Sequence, residues 1–334
     1  MIIKQSLLFL KRLLNPSPLG EGTPTGWVRL FSLLLFSVAF SLDQGGNEVD
    51  FLESGLGSRP LAMGNAYTAA GNDVNTIQYN PAGMVFARGF ELTSMQAKLA
   101  SGFDLYYLGI LTQQREYNVQ TVPDSAWGIS WVNGSLADIP LVTVNEGVTV
   151  NTDIKPSSYS TYQANALTLA YASWLMPDLA WGVSTTGFYK NFLHVDGGQG
   201  YGATLTPGLM WRLKHNVILG LVVKDMLNMQ HWDTGTTEQV HPEIRLGVCF
   251  EVFDDLLLSV EARQKMDNRY QPTFHAGTEW SLLHYIRLRA GFSEDRFSAG
   301  CGIYLTHLSI QYAYMGDISD GIGDSHRVSL EVGL

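Results

Sequence analysis

The chain has 334 residues, a formal net charge of −10 at pH 7, 46% hydrophobic residues, 16% charged residues and 34 glycines. The length allows one large domain or two smaller ones, and the acidic excess argues against nucleic acid as a partner. No segment reaches the roughly 18 consecutive apolar residues of a membrane helix, so a membrane could be crossed only by strands. The same composition also fits a soluble β protein.

The first 41 residues have the pattern of a targeting segment. A short apolar stretch runs from Leu30 to Leu42, and Ala39-Phe40-Ser41 offers small residues at the spacing that a signal peptidase prefers. We therefore interpret residues 1–41 as a leader and signal peptide. Residues 1–26 are an unusually long leader, and one hypothesis is that translation starts near Val28. Cleavage after residue 41 removes four basic residues and one acidic residue. The mature chain then has 17 basic and 30 acidic residues, a net charge of −13.

The next segment, residues 42–88, differs from everything that follows it. Small residues dominate it, no long apolar stripe develops, and Asn80-Pro81-Ala82-Gly83 is a signal for a helix end and a turn. A compact small-residue segment ahead of a long β region is a plausible plug for a barrel. We expect an N-terminal hatch over residues 42–88 and a β-barrel over residues 89–334.

From Phe90 onward, apolar and polar residues alternate in segments of about ten residues, the length and pattern of barrel strands. In the last strand, for example, Val328, Leu330 and Val332 face one way and Ser329 and Glu331 the other. The predicted fold is all-β: a transmembrane antiparallel β-barrel of about fourteen strands with a small hatch in its lumen. The predicted strands are 90–99, 103–112, 125–133, 162–174, 178–190, 199–211, 216–227, 242–252, 255–264, 272–281, 284–293, 296–305, 307–315 and 325–334.

The connections between these strands favour a barrel over a soluble periplasmic sandwich. If the first strand rises from the periplasm, most periplasmic turns are short and most outer loops are longer and polar. Trp174, Trp181, Trp211 and Trp280 lie beside the periplasmic turns, as an interfacial girdle would. In the longest outer loop, 134–161, apolar residues alternate with polar ones. This pattern fits three alternatives: an apolar access site, a contact for cargo, or an extended hairpin.

The polar faces of the predicted strands carry charges of both signs. A charge that faces lipid at mid-depth is strongly destabilising, so we place these residues in the lumen. Their mixed signs predict ion pairs that brace the hatch, whereas a ring of one sign would indicate ion selectivity. They are Arg245, Glu251, Glu261, Arg263, Arg287, Arg289, Arg327 and Glu331, with Lys224, Glu243 and Glu279 on the same faces.

The sequence contains no motif that indicates catalysis, a metal site or a cofactor. Asp317, Asp320 and Asp324 lack the spacing of an EF-hand, and His231 and His241 share a loop without a third ligand. We therefore expect a protein that is not an enzyme and that holds no cofactor or metal. Because disulfide geometry is demanding, we also expect the only two cysteines, Cys249 and Cys301, to remain unpaired.

The hatch segment resembles the N-terminal hatch of the FadL-like outer-membrane barrels, and most closely that of the PorV/PorQ branch. The shared pattern is small-Leu-x-Met-Gly-x-Ala-x-x-Ala, then a turn with Asp, then an Asn-Pro-Ala-Gly corner. The resemblance implies that this corner seats the hatch in the barrel wall. In this chain the pattern comprises Leu61, Met63, Gly64, Ala66, Ala69, Asp73, Asn80, Pro81, Ala82 and Gly83.

The resemblance implies two competing functions. Similarity to PorV implies a barrel that handles secreted cargo proteins at the cell surface in type IX secretion. This is the leading prediction, because the hatch sequence is most similar to the PorV/PorQ pattern. Similarity to FadL implies transport of long-chain hydrophobic compounds through a lateral opening. That route needs a strand kink, for which Gly128, Gly182 and Gly187 are candidates. Either function implies a monomeric barrel among the lipids of the outer membrane of a Gram-negative-type bacterium.

Overall fold

The computed structural model describes residues 51–99, 102–114, 125–142, 156–214, 216–235, 237–238, 241–267, 269–294, 296–316 and 324–334. The predicted signal peptide, the first part of the hatch, and Asp317 and Asp320 lie outside these ranges.

The described part of the hatch contains three short helical segments. They are α1 (Ser58–Ala62), α2 (Thr76–Tyr79) and a 3₁₀ helix, η1 (Pro81–Phe86). Asn80 ends α2 and begins η1, because its side-chain oxygen accepts a hydrogen bond from the Ala82 N–H at 3.1 Å and Pro81 occupies the first helical position. In the described part of the chain, we find no helix with the length and apolar character needed to traverse a bilayer.

Sixteen strand segments follow, and every pair of neighbours in the sheet is antiparallel. They are β1 (Phe90–Lys98), β2 (Asp104–Gln114), β3 (Ser125–Leu141), β4 (Ser158–Met176), β5 (Leu179–Phe192), β6 (Gln199–Lys214), β7 (Val217–Lys224), β8 (Leu227–Trp232), β9 (Thr237–Glu238), β10 (Glu243–Phe253), β11 (Leu256–Lys265), β12 (Thr273–Leu283), β13 (Ile286–Ser293), β14 (Arg296–Tyr304), β15 (Leu308–Met315) and β16 (Ser325–Gly333).

The sheet closes on itself as a barrel. The first strand pairs with the last, from Glu91 opposite Gly333 to Lys98 opposite His326, and β5 pairs with β6 to complete the circle. Segments β7 and β8 are two parts of one wall strand, because both pair with β6, while β9 only adds two residues to β8. The wall therefore has fourteen strands, which confirms the predicted fold. We call the end near Phe90 and Leu334 the base and the opposite end the mouth.

The seventh wall strand is interrupted at Asp225 and Met226, between β7 and β8. Asp225 has a φ of 53°, a left-handed conformation that Asp tolerates better than most residues. Two threonines of β6 hold it: Thr204 Oγ1 donates to Asp225 Oδ1 at 2.6 Å, and Asp225 N donates to Thr206 Oγ1 at 3.1 Å. On the mouth side of this point the seventh wall strand is not paired with β10, because the pairing of β10 with β7 ends at Lys224.

The glycines that we considered for a kink have other roles. No register shift falls at Gly128, Gly182 or Gly187. Gly128 and Gly182 face the hatch, and a Cβ on Gly187 would meet nothing within 4 Å. The suggestion of a kink at these positions is therefore wrong, and Asp225 provides the irregularity instead, because side-chain hydrogen bonds stabilise it there.

The wall is taller on one side of the barrel than on the other. Strands β3 to β6 have 14 to 19 residues, whereas β10 to β16 and β1 to β2 have 8 to 11. At about 3.3 Å per residue, β3 to β6 and β8 rise well above the rest at the mouth. We call these five strands the shield. The hairpin interpretation of 134–161 holds for the described part, since β3 continues to Leu141 and β4 begins at Ser158.

Inward and outward side chains alternate along the wall strands. In β2, for example, Leu105 and Tyr107 are buried inside, while Leu108 and Ile110 are exposed on the outside. The hatch fills the lumen, so the apolar core of the molecule lies between the hatch and the inner face of the wall. One residue of the predicted outer girdle belongs to this core: Trp174 faces inward and its ring centroid lies 4.8 Å from that of Phe86.

Candidate functional site

The hatch backbone lies directly against the inner face of the wall, at positions where the wall has glycine. A Cβ on Gly182 would lie 2.5 Å from Ala82 N, and Cβ atoms on Gly277 or Gly291 would overlap the backbone of Met63 or Gly64. Real Cβ atoms do not approach other atoms so closely, so the hatch requires these glycines. At Gly128, Gly208 and Gly300 the hatch atoms that a Cβ would meet belong to side chains. We call all the wall glycines at which a Cβ would meet the hatch the glycine seat: Gly128, Gly182, Gly208, Gly220, Gly247, Gly277, Gly291 and Gly300.

The hatch motif that sequence analysis singled out forms the surface that meets this seat. Leu61, Met63 and Ala66 are fully buried. Gly64 has a φ of 62°, and a Cβ there would lie 2.5 Å from Phe292 O, so both the conformation and the close approach favour glycine. Its N–H donates to Ser298 Oγ at 3.0 Å.

The Asn-Pro-Ala-Gly corner ties the two ends of the hatch to the wall. Asn80 Nδ2 donates to Thr68 O of the hatch at 2.7 Å and to Leu209 O of β6 at 3.1 Å. Pro81 and Ala82 lie against Gly182, and a Cβ on Gly83 would lie 2.8 Å from Gly71 O. This geometry is that of a corner in contact with the wall, and its gating role stays a prediction.

Arg59 makes the principal ionic contact between hatch and wall. Its Nε and Nη2 donate to the two carboxylate oxygens of Glu279 at 2.8 and 3.0 Å, and its Nη1 donates to Asp73 Oδ2 at 3.0 Å. Arg289 Nε also donates to Glu279, at 2.6 Å, while Arg287 lies 3.6 Å from it. Burial alone would lower the pKa of Arg59, but Glu279, Tyr67 and Asp73 raise it well above its ordinary value, so the guanidinium stays charged.

A second ionic cluster lies towards the mouth. Glu53 of the hatch pairs with Lys224 and lies 3.6 Å from Arg245, which also pairs with Glu243. Burial raises the pKa of Glu53, but the two cations outweigh burial and hold it well below its ordinary value. A cavity of about 30 Å³ beside this cluster, next to Asp225, has room for about two water molecules.

The structure brings most of the predicted lumen charges to the hatch. Arg263 donates to Glu261 at 2.7 Å and to Asn65 O at 2.6 Å, and Glu261 accepts the Thr68 N–H at 2.8 Å. Arg327 donates to the hatch carbonyls of Ser54 and Gly55. Glu331 accepts from Asn75 Nδ2 of the hatch at 3.1 Å.

Glu251 lies apart from these contacts. It lines a cavity of about 220 Å³ at the base, together with Arg212 and the thiol of Cys249. Cys249 is buried, Cys301 is exposed, and both thiols are free. Two histidines considered as metal ligands are also separate: His231 contacts Thr237 and His241 contacts Asp267. Within the described ranges, no three His, Cys, Asp or Glu residues are placed to hold a metal ion.

The inner face of the shield is aromatic, a feature that the sequence analysis missed. Ring centroids are 6.3 Å apart for Phe103 and Tyr162, 4.7 Å for Tyr162 and Phe192, and 6.5 Å for Phe192 and Trp232. These four side chains are only partly buried, so ring surface remains accessible at the mouth. Phe188, deeper on the same face, packs in one apolar cluster with Phe51 of the hatch. We call these five wall aromatics the aromatic arc.

Glycines of β6 set the position of two rings in the arc. A Cβ on Gly200 would lie 2.8 Å from the Trp232 ring, and a Cβ on Gly202 would overlap the Phe188 ring. The rings therefore pack on bare backbone and present their other surfaces to the lumen. The spacing of Phe188 and Phe192 in the sequence could have indicated the arc, because residues four apart lie on the same face of a strand.

Together these features define a class of protein: a closed fourteen-strand antiparallel barrel filled by an N-terminal hatch, with partly exposed aromatic rings at the mouth. No family model matches the sequence, and a search of curated proteins finds no match.

Solved structures show the same fold at low sequence identity. The Pseudomonas putida toluene transporter TodX aligns with 84% of this chain and 99% of its own, at 12% identity and a TM-score of 0.60. The Ralstonia pickettii toluene transporter TbuX aligns with 83% and 98%, at 12% identity and a TM-score of 0.57. The CymD monoaromatic hydrocarbon channel aligns with 83% and 96%, at 11% identity and a TM-score of 0.59.

These neighbours are named as transporters or as a channel, and at this sequence identity their likeness to this chain shows the shared fold alone. They do not show the PorV/PorQ branch, and they give no support to a role with secreted cargo.

Proposed function

We propose that this protein is an outer-membrane channel, without enzymatic activity, that takes up hydrophobic compounds. The single observation that carries the proposal is the aromatic arc: a row of partly exposed rings at the mouth, above a lumen that the hatch closes. The shared fold with hydrocarbon transporters supports it.

The outer surface of the barrel supports a position in the outer membrane with the base towards the periplasm. Large apolar side chains such as Leu167, Leu246 and Ile310 are exposed on the outside of the wall. Trp211 and Trp280 are exposed near the base, where an interfacial girdle would lie. The first strand pairs with the last, so the wall closes as a barrel, which is consistent with a monomeric barrel surrounded by lipid.

A straight path from mouth to base is unfavourable for an apolar compound. It would pass the ion pairs of Glu53 with Lys224 and of Arg59 with Glu279, and separating buried charges is costly. The interruption of the seventh wall strand lies on the base side of Trp232 in that strand. Next to it, Leu227 and Met229 are 63% and 70% exposed on the outside. We propose that bound compounds leave sideways there, into the membrane.

The test of the proposed function is binding of naphthalene to the purified, folded protein in detergent. We expect the double variant Phe192→Ala/Trp232→Ala to bind naphthalene about tenfold or more weakly, because each aromatic pair contributes about 1 kcal/mol beyond the area that it buries. Equilibrium dialysis, corrected for partition into empty micelles, measures the change.

The matched control for this variant is Trp211→Ala, which removes an exposed ring from the outside of the base. We expect it to bind naphthalene as the unmodified chain does. Equal binding by the double variant would contradict the assignment of the arc. A preparation that binds no apolar compound and instead retains a protein partner would favour the secretion role.

A further inference from the structure

A buried lysine lies in the middle of the aromatic arc. Lys190 is on the inner face of β5, between Phe188 and Phe192, and is only 4% exposed. Its Nζ lies 3.3 Å from Gln230 Oε1 and 5.5 Å from the Phe188 ring centroid. Among the residues described, no carboxylate lies within 4.0 Å of this ammonium group. An ammonium carries three donors and buried lysines are normally paired, but the described residues give Lys190 no counter-charge.

A buried donor without an acceptor among the described residues lies in the same row of the wall. The indole Nε1 of Trp232 is buried and finds no hydrogen-bond partner in the described part of the chain. Lys190 and Trp232 both pair with Gly200, one from each side, so the three residues form one row across β5, β6 and β8. Since Gly200 has no side chain, no Cβ separates the lysine from the indole.

The neighbour of Lys190 on its other side is a small residue. Ala164 of β4 is the neighbour of Lys190 in that direction, and Tyr162 and Phe192 stand next to this row on the mouth side. Within the described ranges, the row therefore combines two donors and neighbouring aromatic rings with no acidic group. Such a site is complementary to a negatively charged group attached to a flat apolar body.

We infer that Lys190 and Trp232 form the head-group site for an aromatic carboxylate. The carboxylate oxygens accept hydrogen bonds from Lys190 Nζ and Trp232 Nε1, and the aromatic body packs on the rings of Tyr162 and Phe192. A neutral hydrocarbon would give Trp232 Nε1 no acceptor and would leave the Lys190 ammonium with Gln230 but no opposite charge, which is unfavourable for buried polar groups. The inference rests on the proposed function, because it names the substrate class of the same site.

The test compares three probes on the folded, full-length protein: 1-naphthoate, neutral naphthalene and the straight-chain carboxylate dodecanoate. We expect the unmodified chain to bind 1-naphthoate at least tenfold more tightly than naphthalene, and more tightly than dodecanoate. Lys190→Met should lose that preference and bind naphthalene as before, because methionine keeps an apolar chain but removes the charge. Lys190→Arg should retain most of the preference, and Lys214→Met, at an exposed site near the base, should change nothing.

Several outcomes would overturn the inference. If naphthalene binds and 1-naphthoate binds no more tightly, or if Lys190→Met keeps the preference, Lys190 is not a head-group site. If Lys190→Met loses naphthalene as well, the lysine supports the packing of the arc rather than a carboxylate. If dodecanoate binds as tightly as 1-naphthoate, the site does not select an aromatic body, and the assignment to aromatic carboxylates is wrong. If no probe binds to the unmodified chain, the proposed function itself fails.

Discussion

Valine in place of Gly291 should force the hatch off the barrel wall while the wall itself remains closed. A side chain at this position would overlap the backbone of Gly64 and Met63. The hatch atoms that the new side chain would meet are backbone atoms. Gly64 also lies close to the backbone of Phe292 and Ala276 of the wall, so it has little room to move. Overpacking usually costs about 1–3 kcal/mol, and we expect the upper end here because no flexible side chain can move away.

The native thiol of Cys249 can report this displacement. Cys249 is buried against Ala69 and Ala70 of the hatch, beside the cavity at the base. In a Cys301→Ser background, we expect Gly291→Val to raise the rate of maleimide labelling at Cys249 at least tenfold. Single-channel conductance in planar bilayers should rise as well, because the hatch is what closes the lumen.

Gly187→Val is the matched control for this substitution. It places the same side chain on another wall strand, where nothing lies within 4 Å of the new Cβ, so labelling and conductance should not change. A folded Gly291→Val barrel with unchanged labelling and conductance would show that the hatch does not depend on the glycine seat.

The strands could be predicted from the sequence because the alternation of side chains is a local property. The predicted strand at 242–252 appears as β10 at Glu243–Phe253, and the predicted corner at Asn80 does separate α2 from η1. Lumen charges were placed inside for the same reason, since a side chain on a strand has only two faces to choose from.

The partners of these charges could not be predicted. Arg59 and Glu279 are 220 residues apart, and they meet only because the register of the barrel places β12 beside the hatch. The aromatic arc was missed for a similar reason, since Tyr162 and Trp232 come together only across β5 and β6. Asp225 was missed because a strand irregularity is usually expected at glycine. Here hydrogen bonds with the side chains of two threonines stabilise it at an aspartate.

The leading function was chosen from a motif that does not report on function. Met63, Gly64 and Ala82 contact the glycine seat, so their pattern describes how a hatch packs in a barrel. Barrels with different cargo can share that packing. The residues on which the proposed function rests lie at the mouth, where the resemblance was only architectural.

Removing the carboxylate of Glu279 should loosen the hatch more than removing its cationic partner. Glu279→Ala leaves Arg59 and Arg289 as buried cations without the acid that joins them, and breaking a buried pair in this way costs about 3–5 kcal/mol. We expect the lower end, about 3 kcal/mol, because Asp73 remains beside Arg59. Arg59→Ala should cost less, since Glu279 keeps Arg289 and Arg287.

Hydrogen–deuterium exchange over residues 58–74, together with the free energy of unfolding in urea, measures both effects. Glu251→Ala is the control, because it removes an acid of the lumen that lies at the base, away from Arg59. The double variant Arg59→Ala/Glu279→Ala should be less destabilised than the sum of the two single variants, since it leaves fewer unpaired charges. If Glu279→Ala and Glu251→Ala behave alike, the mixed charges of the lumen face the hatch without bracing it, and the glycine seat alone holds it in place.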